Sequence, residues 1–441
     1  MPVIDSRLWV IGLSSALVSG CGSVITNGVD GASNPTVVTL TFPSGTSPVA
    51  AQIGNGAFAL QTLNGNTLNL SIPSGTSNYA VVYLCPTNVV GPVQSAEEGV
   101  WEASTADGSS FNLSCSTMPA TTAGTGALTG SLDASAIPGA ASYSMAAQNG
   151  NAFREQEGYA LFFNGPTANI YTLAPAGNDR VLLLVFDSNK EALAAKNFDN
   201  QAVPGALNGG NTVVFGAADE STPAAITYNN VPSGYSNLQA SVGLRIGGGV
   251  AQAPMIGVGG NQVPIAANAT SQYPMLPSNV IESGDYYLVG GGAMAPGNAS
   301  PFVLAETTSS GGAVSLTFPA PWTYAGPAPA AQPAFNFSYA GFSGKTGVLQ
   351  EAMYIWETGA PGPDLNNYQV EISATANHQG GSTALALPNL SGLTGFLPAP
   401  ASGTVVYWSA EIWQYSSGIN LPLPLNSTRS GVSNQGVFTV P

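Results

Sequence analysis

Apolar residues along this chain recur with a period of two, in runs of about six positions, and hardly ever with a helical period. Val37 to Phe42, Thr67 to Ile72, Tyr79 to Leu84, Val181 to Phe186 and Val314 to Phe318 alternate or run apolar between breaks of Gly, Pro, Asn and Ser. Successive side chains on a strand point to opposite faces, so an alternating run buries one face and a continuous run buries both. The pattern predicts an all-β protein of short strands and tight turns. Glu191 to Lys196 is the stretch of helix-like character.

One punctuation recurs between strands. Pro73-Ser74-Gly75, Pro175-Ala176-Gly177 and Pro232-Ser233-Gly234 each follow one predicted strand and precede another. Pro ends a strand because it has no N–H for the ladder, and Gly admits the turn. The expected product is a strand, a turn and a return strand. The pattern resembles the late hairpin of carboxypeptidase-regulatory-like and other immunoglobulin-like sandwiches. That resemblance implies tandem antiparallel β-sandwich domains of about 100 residues each. They are placed at 37–120, 124–217, 218–320 and 334–441, with Pro319 to Pro333 (PAPWTYAGPAPAAQP) as a semi-rigid linker. In the last segment Trp356, the turn Pro361-Gly362-Pro363 and Tyr368-Gln369-Val370 resemble strands B and C of fibronectin type III domains. Thr383 to Leu390 resembles strand E there, and Val405 to Trp413 resembles strand F.

The amino end carries a different signal. Arg7 precedes an apolar run from Leu8 to Val18, too short to cross a bilayer and of the length of a signal-peptide core. Val18-Ser19-Gly20-Cys21 resembles the bacterial lipobox, which implies removal of residues 1–20 and acylation of Cys21. Several acyl chains bury enough CH₂ groups for firm anchoring where one would be marginal. Gly22, in place of Asp, implies export to the outer membrane or cell surface under the rule of that family. Residues 21–36 are polar and glycine-bearing and read as a flexible tether. With Cys21 committed to lipid, Cys85 and Cys115 remain, an even number suited to a disulfide in an oxidising compartment or to two buried thiols.

Charge narrows the partners. Only 7% of the 441 residues are Asp, Glu, Lys or Arg, against about 25% in ordinary soluble domains. The net charge is −15 with eight basic residues. No basic patch can displace phosphate counterions, so nucleic acid is excluded as a partner. So few cations also limit self-repulsion once acid neutralises the carboxylates, which suits the chain to an acidic medium.

Candidate chemistry is sparse, and the reading is of a non-catalytic protein with no cofactor and no metal. His378 is the single histidine and lies in a polar run, Asn377 to Gly381, read as an exposed turn. Asp187-Ser188-Asn189-Lys190-Glu191 begins like a calcium loop but lacks its central Gly and twelfth-position Glu, and fits a polar hairpin turn. Glu97, Glu98, Glu102 and Asp107 surround Trp101 and fit a solvated loop or a cation site. Glu351, Glu357, Glu371 and Glu411 are the carboxylates from which a glycosidase pair would have to come. Along Val405 to Tyr415, Val406, Trp408, Ala410 and Ile412 fall on one face, suited to the core. Tyr407, Glu411, Trp413 and Tyr415 fall on the other. Aromatic rings flanking a carboxylate suit a sugar, and equally suit packing against a neighbouring part of the chain. The sequence therefore points to a lipid-anchored surface protein, adhesive, structural or ligand-presenting, with a protein or glycan partner.

Overall fold

A computed structural model describes residues 35–441 apart from 87, 91–92, 114, 116–124, 149–159, 162–164, 236, 247–254, 261, 265, 267, 297–298, 359–365, 381–382, 391 and 420–422. Among the described residues the elements are almost all strands, and the α-helix there is a single turn, Ala376–Gln379. The fold class is all-β. Cys21 and the whole predicted signal segment lie outside the described residues.

Three stretches of the chain repeat one topology. In the first, Thr36–Thr41 pairs antiparallel with Thr67–Ile72 and parallel with Ser110–Asn112. Val49–Ile53, Asn78–Leu84 and Val93–Ser104 form an antiparallel partner sheet. In the second, Thr125–Asp133 pairs antiparallel with Thr167–Pro175 and parallel with Gly205–Ala206 and Val213–Val214. Its other sheet is Ser142–Ala147, Gly177–Phe186 and Ala192–Val203. In the third, Thr222–Asn229 pairs with Asn268–Met275 and, in parallel, with Val314–Thr317, while Asn237–Arg245, Tyr286–Ala295 and Ala299–Ser309 form the other sheet. Each repeat thus places its first and last strands side by side and parallel.

The five strands read from alternation appear at the expected places. Thr67–Ile72 buries Leu68, Leu70 and Ile72 and leaves the residues between them outward. Val181 to Phe186 is buried at every position, as a continuous apolar run requires. The three Pro-x-Gly turns also form, with Gly75 and Gly234 at φ of 84° and 83°, where only glycine is unstrained. They are not hairpins. Thr67–Ile72 and Asn78–Leu84 belong to different sheets, as do Thr167–Pro175 and Gly177–Phe186, and Thr222–Asn229 and Asn237–Arg245. The turn carries the chain across the sandwich, and turn residues alone do not say which sheet receives the next strand.

Two further expectations are corrected. The helix-like stretch after Glu191 is the start of the strand Ala192–Val203. Ala192, Ala194 and Ala195 are buried there, so pairing and sheet packing override alanine's weak helical preference. Pro319 to Pro333 is not a bare spacer, because Trp322 is buried, stacks on Tyr324 and Phe337, and accepts a hydrogen bond from Asn434 Nδ2 through its carbonyl.

By contacts the chain forms two units, one of residues 1–119, 322–424 and 433–441, the other of 120–321 and 425–432. In the first, Val348–Thr358 lies between Asn366–Thr375 and Val405–Tyr415, and Asn366–Thr375 pairs in parallel with Val93–Ser104. One sheet therefore combines the first predicted sandwich with the last. Strands B and C of an immunoglobulin-type sandwich lie in opposite sheets, whereas Val348–Thr358 and Asn366–Thr375 are direct neighbours, so they do not occupy those two positions.

The second unit holds a buried ionic clamp between its two repeats. Arg180, 6% exposed, donates to both carboxylate oxygens of Asp285 at 2.9 and 2.8 Å, to the Val280 carbonyl at 2.7 Å and to Asn197 Oδ1, and pairs with Glu282. Removing one partner strands the buried charge of the other. Arg180→Ala is expected to lose roughly 3–5 kcal/mol, seen as an early transition in chemical denaturation. The disulfide between Cys85 and Cys115 closes 30 positions of chain in the first unit. A Cys85→Ser, Cys115→Ser double variant is expected to lose about 3–4 kcal/mol in the chain-entropy account, read as a lowered denaturation midpoint.

Candidate functional site

The parallel register in the first unit gathers carboxylates that lie far apart in sequence. Glu411 stands directly opposite Glu351, and Glu351 opposite Ser373. Two residues along the next strand, Glu371 faces Gly99, with Glu97 diagonal to it. Cross-strand partners share a face, so Glu97, Glu351, Glu371 and Glu411 line one face of four neighbouring strands. Glu98 and Glu102 alternate to the opposite face of their strand.

These groups are hydrogen-bonded locally. Trp413 Nε1 donates to Glu411 Oε2 at 3.0 Å and Ser433 Oγ to Glu411 Oε1 at 3.2 Å. Ser373 Oγ donates to Glu351 Oε1 at 3.4 Å, and the Leu397 N–H to Glu98 Oε2 at 2.8 Å. A Cβ on Gly99 would fall 2.2 Å from the Tyr83 ring, so glycine is what lets that ring lie across the strand toward Glu371. Burial, and then the nearness of Glu97, Glu351 and Glu411, holds the Glu371 carboxyl far above the usual carboxylate range. Burial pushes Glu98 up to about 7, against the pull of the Leu397 N–H, and likewise pushes Glu102 up to about 7. Of the chain's eight Lys and Arg, only Arg7 and Lys345 fall in this unit's ranges.

The solvated loop expected around Trp101 is therefore a central strand, Val93–Ser104, with Glu97 at 1% exposure and Glu98 at 0%. Its sheet neighbours on both sides exclude water, which a charge count cannot reveal. Asp107 does sit in a turn. It accepts from the Ser104 N–H, Thr375 Oγ1 and Asn377 Nδ2 and ties the turn to the helix Ala376–Gln379. His378 is on that helix and half-buried, with Nδ1 3.6 Å from Glu102 Oε2, in contrast to the exposed turn expected. Burial lowers its pKa, partly offset by Asp107. Asp187 does close a polar turn, accepting from the Asn189 and Glu191 N–H groups.

In the strand Val405–Tyr415 the expected inner face, Val406, Trp408, Ala410 and Ile412, is buried throughout. On the other face Tyr407 is 50% exposed, Glu411 is half-buried, and Trp413 and Tyr415 are 4% and 1% exposed. Only Tyr407 of the four offers its ring to a ligand from solvent. Among the described residues, the group of three or more Cys, His, Asp or Glu donors within 4.8 Å of one another is Cys85, Glu97 and Cys115. Its two sulfurs are bonded to each other.

No protein family and no curated protein matches this sequence. Solved structures overlap it in part. The fimbrial tip protein Mfa3 of Porphyromonas gingivalis shares 14% identity over 46% of this chain and 84% of its own, with a TM-score of 0.17. A candidate adhesin from Bacteroides ovatus shares 10% identity over 45% and 94%, with a TM-score of 0.18. The TIE protein of Bacillus anthracis shares 9% identity over 64% and 50%, with a TM-score of 0.14. At these values the overlaps carry no functional assignment.

The raised carboxyl values give stability a definite slope with pH. A carboxyl whose folded pKa lies above its usual 4.5 contributes stability that is complete below 4.5 and is lost as pH rises through the folded value near 7. The melting temperature of the full chain should therefore fall between pH 5 and pH 8. Glu98→Gln should narrow that fall, as read by calorimetry. A melting temperature that rises across the range in wild type would reverse the conclusion.

Proposed function

We propose that this protein is a non-catalytic, lipid-anchored surface protein whose sandwich repeats carry an adhesive or ligand-presenting surface away from the membrane. The observation that carries the reading is the threefold recurrence of one sandwich topology. Repeated modules of that kind can stand a surface off from an anchor, and the fold by itself carries no catalytic chemistry. Three features support it. The Val18-Ser19-Gly20-Cys21 sequence supplies the anchor, the Cys85–Cys115 bridge suits an oxidising compartment, and a surface with few charged groups suits one exposed to changing media. The carboxylates of Glu351 and Glu411 serve the sheet, held by Ser373, Ser433 and Trp413 rather than poised for a substrate.

Metabolic labelling with a fatty acid tests the reading. Wild type expressed in a double-membrane bacterium should take up label and sediment with the envelope. Cys21→Ser should lose both label and sedimentation. An unlabelled wild type in the cytosolic fraction would remove the anchor and the surface location together.

A further inference from the structure

The disulfide of the first unit closes beside a buried carboxylate. Cys85 follows the strand Asn78–Leu84, and its N–H donates at 2.8 Å to the carbonyl of Glu97 on Val93–Ser104. Leu84 pairs with Glu98 in that register, so Cys85 stands across from Glu97, and cross-strand partners share a face. Cys115 arrives from the other sheet, where Phe111 pairs with Leu40 and the Leu113 N–H donates to the Thr41 carbonyl at 2.8 Å. The two Sγ atoms and a carboxylate oxygen of Glu97 all lie within 4.8 Å of one another. Cys85, Cys115 and Glu97 are 2%, 4% and 1% exposed.

Sheet hydrogen bonds hold Cys85 and Glu97 in place whether or not the sulfurs are joined, and Glu97 is paired again with Gln369 in the parallel ladder. Opening the disulfide takes two electrons and two protons. A thiol reductant supplies both: its thiolate attacks one sulfur, a second thiol resolves the mixed disulfide, and the reductant leaves as its own disulfide. The products are two thiols beside a carboxylate, shielded from water. Two thiolates and a carboxylate suit zinc, which binds sulfur at about 2.3 Å and carboxylate oxygen at about 2.1 Å. Around a tetrahedral ion such ligands stand roughly 3.6–3.8 Å apart, within the 4.8 Å that already encloses the three atoms. Calcium and magnesium take oxygen ligands and do not match the sulfurs. Zinc displaces the two thiol protons to solvent as it binds. One of its four positions stays open for water.

We propose that Cys85, Glu97 and Cys115 form a redox-gated zinc site, closed as a disulfide in oxidising surroundings and able to hold the metal once a thiol reductant has opened it. Either occupant closes the same 30 positions of chain, so the metal takes over the task of the covalent bond where that bond is lost. The site goes beyond the surface-display reading and does not depend on acylation of Cys21.

Cobalt(II), whose d–d spectrum reports tetrahedral thiolate ligation, is the probe. The full-length chain carrying Cys21→Ser keeps Cys85 and Cys115 as its only cysteines. It is opened anaerobically with a trialkylphosphine, which leaves as its oxide with the oxygen of water while the two protons go to the thiols. The reduced chain should bind one cobalt, with visible d–d bands and a sulfur-to-cobalt charge-transfer band, and added zinc should erase both. The oxidised chain should show neither. Glu97→Gln should bind cobalt at least about tenfold more weakly, the loss that even a residue supporting a metal ligand from outside costs, while two thiols per chain still titrate. Where Glu97→Gln fails to fold, Glu97→Asp keeps a carboxylate one CH₂ shorter and should weaken binding and shift the bands. Circular dichroism follows the fold, and a reduced chain that has lost its β signal should regain it with zinc. A disulfide that stays closed in excess phosphine, a reduced chain without cobalt bands, a lost β signal that zinc does not restore, or bands and affinity unaltered in the Glu97 variants would each overturn the site.

Discussion

The parallel pairing of Val93–Ser104 with Asn366–Thr375 is the interaction on which the first unit depends. It joins the strands of the first repeat to those of the carboxy-terminal segment, nine residues in register. A parallel pair cannot be closed by a short turn and needs a long crossover. Here residues 120–321, the larger part of the second unit, lie between the two strands in sequence. Several features of the unit follow from that register. It sets Glu371 beside Glu97 and brings the helix Ala376–Gln379 to Asp107. It also makes both faces of Val93–Ser104 interior.

Placing carboxylates in that interior with so few cations is the second constraint. Glu97 and Glu98 are adjacent in sequence and both are buried, so they point to opposite faces of the same strand, and Glu98 accepts from the Leu397 N–H. A buried carboxylate must be paired, hydrogen-bonded or protonated. The first unit uses the last two, through Ser373, Ser433, Trp413 and Leu397 and through raised affinity for protons. The second unit uses the first, with Arg180 in the grip of Asp285 and Glu282, and Arg429 against Glu306. Six of the chain's eight basic residues fall in the second unit, and two of them, Arg180 and Arg429, make these buried pairs.

What could be read from the sequence was local. Alternation located Thr67–Ile72 and Asn78–Leu84 closely, and it sorted Val406, Trp408, Ala410 and Ile412 to the inside. Continuous apolar character marked Val181 to Phe186 as covered on both faces. The misreadings share a cause, which is that sheet membership is a long-range property. The same Pro-x-Gly residues serve a hairpin or a crossing between sheets. An alanine run at Ala192 to Ala195 suits a helix until neighbouring strands claim its N–H and C=O groups. Glutamates around Trp101 look solvated until a strand from the far end of the chain pairs beside them.

The side-by-side parallel placement of first and last strands in each repeat has a mechanical meaning. Tension entering at one end of a repeat and leaving at the other pulls those two strands lengthwise in opposite directions. Their hydrogen bonds are then loaded together in shear and cannot be peeled apart one at a time. Rupture requires the whole ladder to yield at once, and forced unfolding is governed by that barrier rather than by equilibrium stability. A chain assembled from such modules resists stretching out of proportion to the modest strength of any one of its bonds.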